Sequence, residues 1–120
     1  MPLSNEVSIY QTARKVLDEA ITKALGSANN AVITFHLKQK FGKDPSEVFV
    51  ENPRAFFVAL QSIFGAGAES IVSLIGTFLI TRYGMAYSTG EFLELLKVGD
   101  RSSRDKLEEI LSKIASEKEN

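Results

Sequence analysis

Apolar residues recur at steps of three and four along most of the chain, which is the spacing of one face of an α-helix. The first such run predicts a helix from about residue 6 to 25, and the second predicts one that follows residues 27–30 and runs to Phe41. Gly26 and Gly42 follow these runs, as glycine commonly does at the C-terminal end of a helix. No run alternates polar and apolar residues, so no strand is predicted.

Three helix start signals divide the middle of the chain. Asp44–Glu47 combines a capping carboxylate, a proline at the first helical position and a glutamate three residues after the cap. Asn52–Pro53 repeats the device before a helix that Gly65 closes. Ser88–Glu91 is a further capping box, and it opens a helix that stops near Gly99.

The segment with the fewest charges predicts the centre of the fold. Residues 53–90 carry only three charged side chains, Arg54, Glu69 and Arg82. Within them, Ala68–Tyr83 is apolar over most of its circumference, which is typical of a helix that is covered on several sides. The sequence therefore predicts an all-α fold, a compact bundle of five or six helices around this buried central helix. Gly76 in its middle predicts a close helix crossing.

The C-terminal third predicts an amphipathic helix over residues 104–117. Its apolar positions form one narrow stripe, Leu107, Ile110, Leu111 and Ile114. Residues 100–103 before it are a candidate hinge. We expect residues 1–120 to form a single helical domain, because they can bury one core without disulfides or a structural metal.

Composition and charge exclude several classes of protein. The chain has no cysteine, so thiol catalysis, iron–sulfur clusters and cysteine-type zinc sites are excluded. Its formal net charge is -1, which gives no overall attraction to nucleic acid or anionic lipid. The longest apolar stretch, Ile71–Ile80, is shorter than the roughly 20 residues of a membrane span, and no export signal is visible. We expect a cytoplasmic protein without a membrane contact.

The residues that usually carry chemistry give little support for catalysis. His36 is the only histidine, so the common two-histidine metal motifs cannot form. We interpret it as a packed residue, with a pH-sensitive contact or a proton carrier as the alternatives. The glycines in Gly65–Ala68 follow a helix rather than a strand and lack the Lys-Ser/Thr pair of a phosphate loop. We therefore expect no enzyme activity, no metal and no cofactor. A less favoured alternative is an enzyme or carrier with a small-ligand pocket near His36, lined by Phe56, Phe64, Phe78 and Tyr83.

Several short motifs between Val16 and Tyr83 together resemble a known family. They are Phe35-His36-Leu37, Lys40-Phe41, Glu51-Asn52-Pro53 with Phe56 and Leu60, and Ile63 to Ala68. This span, a little over half of the chain, is similar to a small archaeal all-helical signal-transduction output domain, the Nitrosopumilus-type output domain. The resemblance implies a regulatory or interaction module without an established catalytic activity. It carries no functional residues over to this chain.

The surplus of apolar residues in the middle third predicts self-association, because a helix that is apolar all round needs cover on every side. We expect a non-enzymatic regulatory or protein–protein interaction module that forms a homodimer. The interaction surface is expected on the central or the final helix, at Phe56, Phe57, Ile71, Leu74, Ile75, Phe78, Leu107, Ile110, Leu111 and Ile114. The alternative is a DNA-binding regulator that uses Lys38, Lys40, Lys43, Arg101 and Arg104.

Overall fold

The computed structural model describes residues 2–119, and the side chains of residues 9–116. Within residues 2–119 it has no strand, so the all-α prediction is confirmed. The helices are α1 (Pro2–Leu25), α2 (Ser27–Phe41), α3 (Pro45–Glu51), α4 (Pro53–Phe64), α5 (Ala68–Tyr83), α6 (Thr89–Val98) and α7 (Arg101–Glu119). A 3-10 turn, Gly65–Gly67, joins α4 to α5, and when Pro53–Tyr83 is counted as one helix the total is six. The fold is compact, with dimensions of 38 × 29 × 28 Å.

Helix α1 contacts more of the other helices than α5 does. It contacts α2, α3, α5 and α7, whereas α5 contacts α1, α4 and α6. Five side chains of α1 are at most 2% exposed: Ala13, Val16, Leu17, Ala20 and Ile21. The expectation that the fold is built around Ala68–Tyr83 is therefore wrong in its position, because α1, α3 and α4 each contact four other helices and α5 contacts three.

Helix α5 is buried on one face only. The buried residues are Ala68, Val72, Ile75, Gly76 and Leu79, while Leu74 on the opposite face is 48% exposed. The helix Pro53–Tyr83, which includes α5, is long and apolar enough to cross a membrane by length and composition, with a mean hydropathy of 1.8 and 28% of its most apolar window buried. The core helix of a soluble protein meets the same criterion, so this property assigns no location by itself.

Helices α3, α4 and α6 begin at the capping residues that were predicted from the sequence. Asn52 Oδ1 accepts a hydrogen bond from the Ala55 backbone N–H at 3.1 Å. Ser88 and Glu91 form the predicted capping box, with reciprocal bonds of 3.1 and 3.0 Å, and Asp44 with Glu47 forms another. These local bonds satisfy N–H groups that the first turn of a helix leaves unpaired.

The predicted close crossing at Gly76 is confirmed. A Cβ atom on Gly76 would lie 2.7 Å from Cδ2 of Phe92, which belongs to α6. Phe92 is 3% exposed and its ring lies 6.3 Å from that of Phe49 in α3. The missing side chain of Gly76 therefore lets α6 place an aromatic ring in the core.

Helix α7 packs onto its own chain, against α1, α3 and α6. Its apolar stripe, Leu107, Ile110, Leu111 and Ile114, is at most 4% exposed. The candidate hinge at residues 100–103 covers the residue before α7 and its first turn, where Asp100 Oδ1 accepts a hydrogen bond from the Ser103 N–H at 2.9 Å. Motion at this position stays a prediction.

Candidate interaction surfaces

The fold separates the ten expected interaction residues into a buried and an accessible group. Seven lie in the core with at most 4% exposure: Phe56, Phe57, Ile75, Leu107, Ile110, Leu111 and Ile114. These residues are covered by the chain's own helices, so they form the core rather than a surface. The other three, Ile71, Leu74 and Phe78, follow one another at helical steps of three and four on α5. We call them, with the side chains around them on the same side, the outer face of α5.

The outer face of α5 is uncharged. No charged residue occurs in residues 70–81, a length of about 18 Å along the helix. Leu74 lies at its centre, and Ile71 and Phe78 beside it are partly buried against the core. The exposed hydroxyl side chains of Ser70, Thr77 and Thr81 lie along the other side of this face. The result is a ridge of large apolar side chains next to a ridge of small polar ones.

The charges at the two ends of α5 are bound within the chain. Glu69 pairs with Lys97 at 3.3 Å, and the Arg82 guanidinium lies 3.5 Å from the Glu19 carboxylate. The Tyr83 hydroxyl also donates to Glu19 at 3.4 Å. Burial, followed by the charge of Glu19, raises the pKa of Tyr83 above its ordinary value. These contacts leave the middle of the outer face neutral.

A second apolar surface lies on α2, where no interaction surface was expected from the sequence. Val32 is 48% and Phe35 is 65% exposed, while Ile33 and Leu37 on the other side of the helix are completely buried. The sequence does contain a sign of this surface, because α2 has apolar residues on two opposite sides. Only one of these sides faces α1, α3 and α4. Lys38 follows Phe35 by one helical turn on this side, whereas Lys40 lies about 140° around the helix from Phe35, with its Nζ 5.7 Å from the centre of the Phe41 ring. We call Val32, Phe35 and Lys38 the α2 surface.

The expected basic residues on α2 and the following loop are partly neutralised. Lys38 Nζ lies 3.5 Å from Asp44, which Arg14 also approaches at 4.0 Å. Lys43 Nζ bonds to Glu51 Oε1 at 2.6 Å. The hydrogen bond from Lys43 lowers the pKa of Glu51 below its ordinary value, and the same bond raises the pKa of Lys43.

Glu51 also contacts basic residues from both parts of the expected DNA-binding set, Lys43 before α3 and Arg104 in α7. The Arg104 guanidinium donates to the backbone carbonyl of Glu51 at 3.5 Å, and the Tyr10 hydroxyl donates to its carboxylate at 3.1 Å. Lys43 and Arg104 are thus brought to the same residue, whereas Arg101 is exposed at the start of α7. Their shared acidic neighbour weakens the positive field that a phosphate backbone would meet.

An open groove of 470 Å³ lies between α6 and α7. Glu91, Glu94 and Asp100 give it negative charge, with Lys106 beside them, and Leu95 and Val98 give it an apolar floor. Val98 is 52% exposed. Hydrogen bonds from the Ser88 backbone lower the pKa of Glu91, and those from the Ser103 backbone lower the pKa of Asp100, so both carboxylates are ionised at neutral pH. We call this feature the α6–α7 groove.

The residues considered for catalysis and ligand binding are dispersed or buried. His36 Nε2 is buried without a hydrogen-bond partner. Among the residues whose side chains are described, no group of three His, Cys, Asp or Glu residues is arranged to hold a metal ion. Phe56 is completely buried, and Phe64, Phe78 and Tyr83 pack against the core. The small-ligand pocket therefore stays a prediction from the sequence.

Comparison with known proteins adds no relative. No protein-family model, curated protein or solved structure matches this chain. The resemblance over Val16–Tyr83 to an archaeal output domain stays a prediction.

Proposed function

We propose that this chain is a non-enzymatic, cytoplasmic regulatory module that acts through protein–protein contact and self-associates as a homodimer through the outer face of α5. The observation that carries the proposal is Leu74, 48% exposed at the centre of a surface that has no charge over residues 70–81. Contiguous apolar surface with a polar border marks interaction sites, and the cores of interfaces are depleted in charge.

A second copy of the chain matches this surface by shape. In a twofold contact, the same residues of both copies meet reciprocally. If two α5 helices lie antiparallel with the twofold axis crossing their outer faces at the level of residue 76, Leu74 of each copy comes close to Phe78 of the other. The large ridge of Ile71, Leu74 and Phe78 can then pack against the small ridge of Ser70, Thr77 and Thr81, as ridges pack into grooves between helices.

A membrane is a weaker match for the same surface. Helices that lie on a membrane carry lysine and arginine on the polar side and flanks of the apolar face. Arg82 is the only basic residue on α5, and it is paired with Glu19. The charge-free border of hydroxyl groups fits a protein surface better than phospholipid headgroups.

The test is sedimentation velocity of the wild type and Leu74→Glu over a range of concentrations. We expect the wild type to dimerise and Leu74→Glu to weaken dimerisation roughly tenfold or more, because a charge would be buried at the centre of the contact. Ser112→Glu introduces the same charge at an exposed position of α7 and is the matched control. A monomeric wild type, or equal weakening by the control, would contradict the proposal, as would sedimentation with lipid vesicles in place of dimerisation.

The DNA-binding alternative is supported less well. Lys38 and Lys43 bind to Asp44 and Glu51, and the overall charge is negative. Binding to a duplex with a logarithmic salt slope near -0.9 for each phosphate contact would favour it over the proposed function.

A further inference from the structure

We infer that a polar cavity between α1, α2 and α3 binds a small zwitterion with the chemistry of a free amino acid. We call this feature the α1–α3 cavity. Its charged residues are Arg14, Asp18 and Asp44. None of the residues that line it lies on α5, so the inference goes beyond the proposed dimer and does not depend on it.

The α1–α3 cavity has the size of a small metabolite. Its volume is 120 Å³. Pockets for drug-sized ligands have about 300–1,000 Å³, and one water molecule takes about 30 Å³ in the liquid. The buried side chains of Leu17 and Ile21 form its apolar floor, and Arg14 and Asp18 are exposed at its rim. The cavity therefore suits a molecule of a few heavy atoms that enters past these two charged side chains.

The first argument is the Ser46 hydroxyl, which lines the cavity without a hydrogen-bond partner. Ser46 is 5% exposed, and its side chain makes no hydrogen bond within residues 9–116. The hydroxyl is open to the cavity and to a wider groove that adjoins it at Ser46, because the one fully enclosed unpartnered side-chain atom in those residues is His36 Nε2. Buried polar groups normally have a partner, so this hydroxyl points to a ligand that forms a hydrogen bond.

The second argument is the balance of charge. Asp18 and Asp44 bring two carboxylates to the cavity, and Arg14 brings one guanidinium. Lys38 Nζ lies 3.5 Å from Asp44 and supplies a second positive charge from outside the lining. The cavity and this lysine are together neutral. A ligand with one positive and one negative group matches them better than a cation or an anion, because each of its charges meets an opposite one.

The third argument is that acceptors for an ammonium group come from three helices. Asp18 in α1 has no ion pair within residues 9–116, and of its two carboxylate oxygens only Oδ1 accepts a hydrogen bond there, from Asn30 at 2.7 Å. Thr34 in α2 and Ser46 in α3 add two hydroxyl oxygens to the same lining. An ammonium group donates three hydrogen bonds, so these three side chains together match its donors.

The guanidinium of Arg14 is the partner for the carboxylate of the ligand. It lies 4.0 Å from Asp44, which is too long for a hydrogen bond, and its side chain is 76% exposed. Arginine binds carboxylates through two parallel hydrogen bonds. With both charged groups held, the side chain of the amino acid meets Leu17 and Ile21, so a small apolar side chain such as the methyl group of alanine is expected.

The test measures binding of L-alanine to the full chain by isothermal titration calorimetry and thermal unfolding. We expect L-alanine to bind and to raise the midpoint of thermal unfolding, because a ligand that binds only the folded state stabilises it. Ethylamine and propionate each carry one of the two charged groups of alanine. We expect both to bind at least tenfold more weakly than L-alanine.

Two variants test the assigned residues. Asp18→Asn and Ser46→Ala should each weaken binding of L-alanine about tenfold or more, because each removes a hydrogen bond to a charged group. Asp105→Asn and Ser112→Ala make the same changes at exposed positions of α7 and should bind like the wild type. Without ligand, Ser46→Ala should be at least as stable as the wild type, because its hydroxyl has no partner to lose.

The inference would be overturned if L-alanine failed to bind at millimolar concentration, or if ethylamine or propionate bound equally well. Unchanged binding in both Asp18→Asn and Ser46→Ala would also overturn it. A loss of ligand-free stability in Ser46→Ala beyond that of Ser112→Ala would do the same, because it would show that the hydroxyl is bonded within the chain. Leu74→Glu should bind L-alanine like the wild type, so failure of the α5 dimer and failure of the cavity are told apart.

Discussion

A Cβ atom on Gly99 would lie 2.6 Å from the backbone nitrogen of Arg54 and 2.4 Å from its Cβ. Gly99 ends α6 in the left-handed conformation, with φ of 58°, and Arg54 is the second residue of α4. The Arg54 guanidinium donates a hydrogen bond to the Lys97 carbonyl in the last turn of α6. The end of α6 therefore touches the start of α4 at backbone distance, and only glycine meets both requirements.

We expect Gly99→Ala to lower the free energy of unfolding by about 3 kcal/mol. Roughly 1–2 kcal/mol comes from the left-handed conformation, and the rest comes from the clash with the Arg54 backbone. Gly84→Ala is the matched control, because Gly84 ends α5 with φ of 62° and nothing lies within 4 Å of its Cβ position. Urea denaturation measures both variants. Equal losses at the two glycines would show that the contact with Arg54 has no energetic importance.

The helix crossing at Gly76 gives a second prediction. Gly76→Ala gains up to about 1 kcal/mol of helix propensity but places a Cβ 2.7 Å from the Phe92 ring, an overpacking that costs about 1–3 kcal/mol. We expect a net loss of about 1 kcal/mol. In Gly90→Ala, also within a helix, the nearest atom to the new Cβ is 3.9 Å away, so this variant should be neutral or slightly more stable. Thermal or urea unfolding in which Gly76→Ala is the more stable of the two would contradict the described packing.

The capping box of α6 predicts a dependence of stability on pH. The pKa of Glu91 is lowered in the folded chain by hydrogen bonds from Ser88, so the folded state holds its proton less tightly than the unfolded state. The contribution of Glu91 to stability is then complete above its unfolded pKa of about 4.3 and is lost as the pH falls through the lower folded value. We expect Glu91→Gln to lose less stability than the wild type as the pH falls below about 4.3, measured by unfolding experiments at several pH values. Glu94→Gln, on the same helix but outside the capping box, should show the same dependence of stability on pH as the wild type.

The sequence predicted the helix boundaries well because these depend on neighbouring residues. Asp44, Asn52 and Ser88 cap helices through bonds to the backbone within three residues, and Gly42 and Gly84 are left-handed where helices end. Such signals require no knowledge of the tertiary structure. Gly76 was predicted correctly for a related reason, since a glycine inside a helix is costly unless another element lies against it.

The sequence predicted the exposed surfaces less well because exposure depends on which helices meet. The apolar pattern of α5 indicated burial on several sides, but α1, α4 and α6 leave Leu74 uncovered. In contrast, Phe57 and Ile110 were expected on a surface and lie in the core. Phe35 is exposed because no helix within residues 2–119 covers that side of α2, which periodicity along a single helix cannot reveal.

The central claim, a dimer through the outer face of α5, is tested most directly by cross-linking through a single introduced thiol. The natural chain has no cysteine, so Leu74→Cys and the control Ser112→Cys each present one thiol. We predict that a short bis-maleimide converts Leu74→Cys to a covalent dimer at micromolar concentration and leaves Ser112→Cys monomeric. Equal cross-linking of both variants, or of neither, would contradict the account.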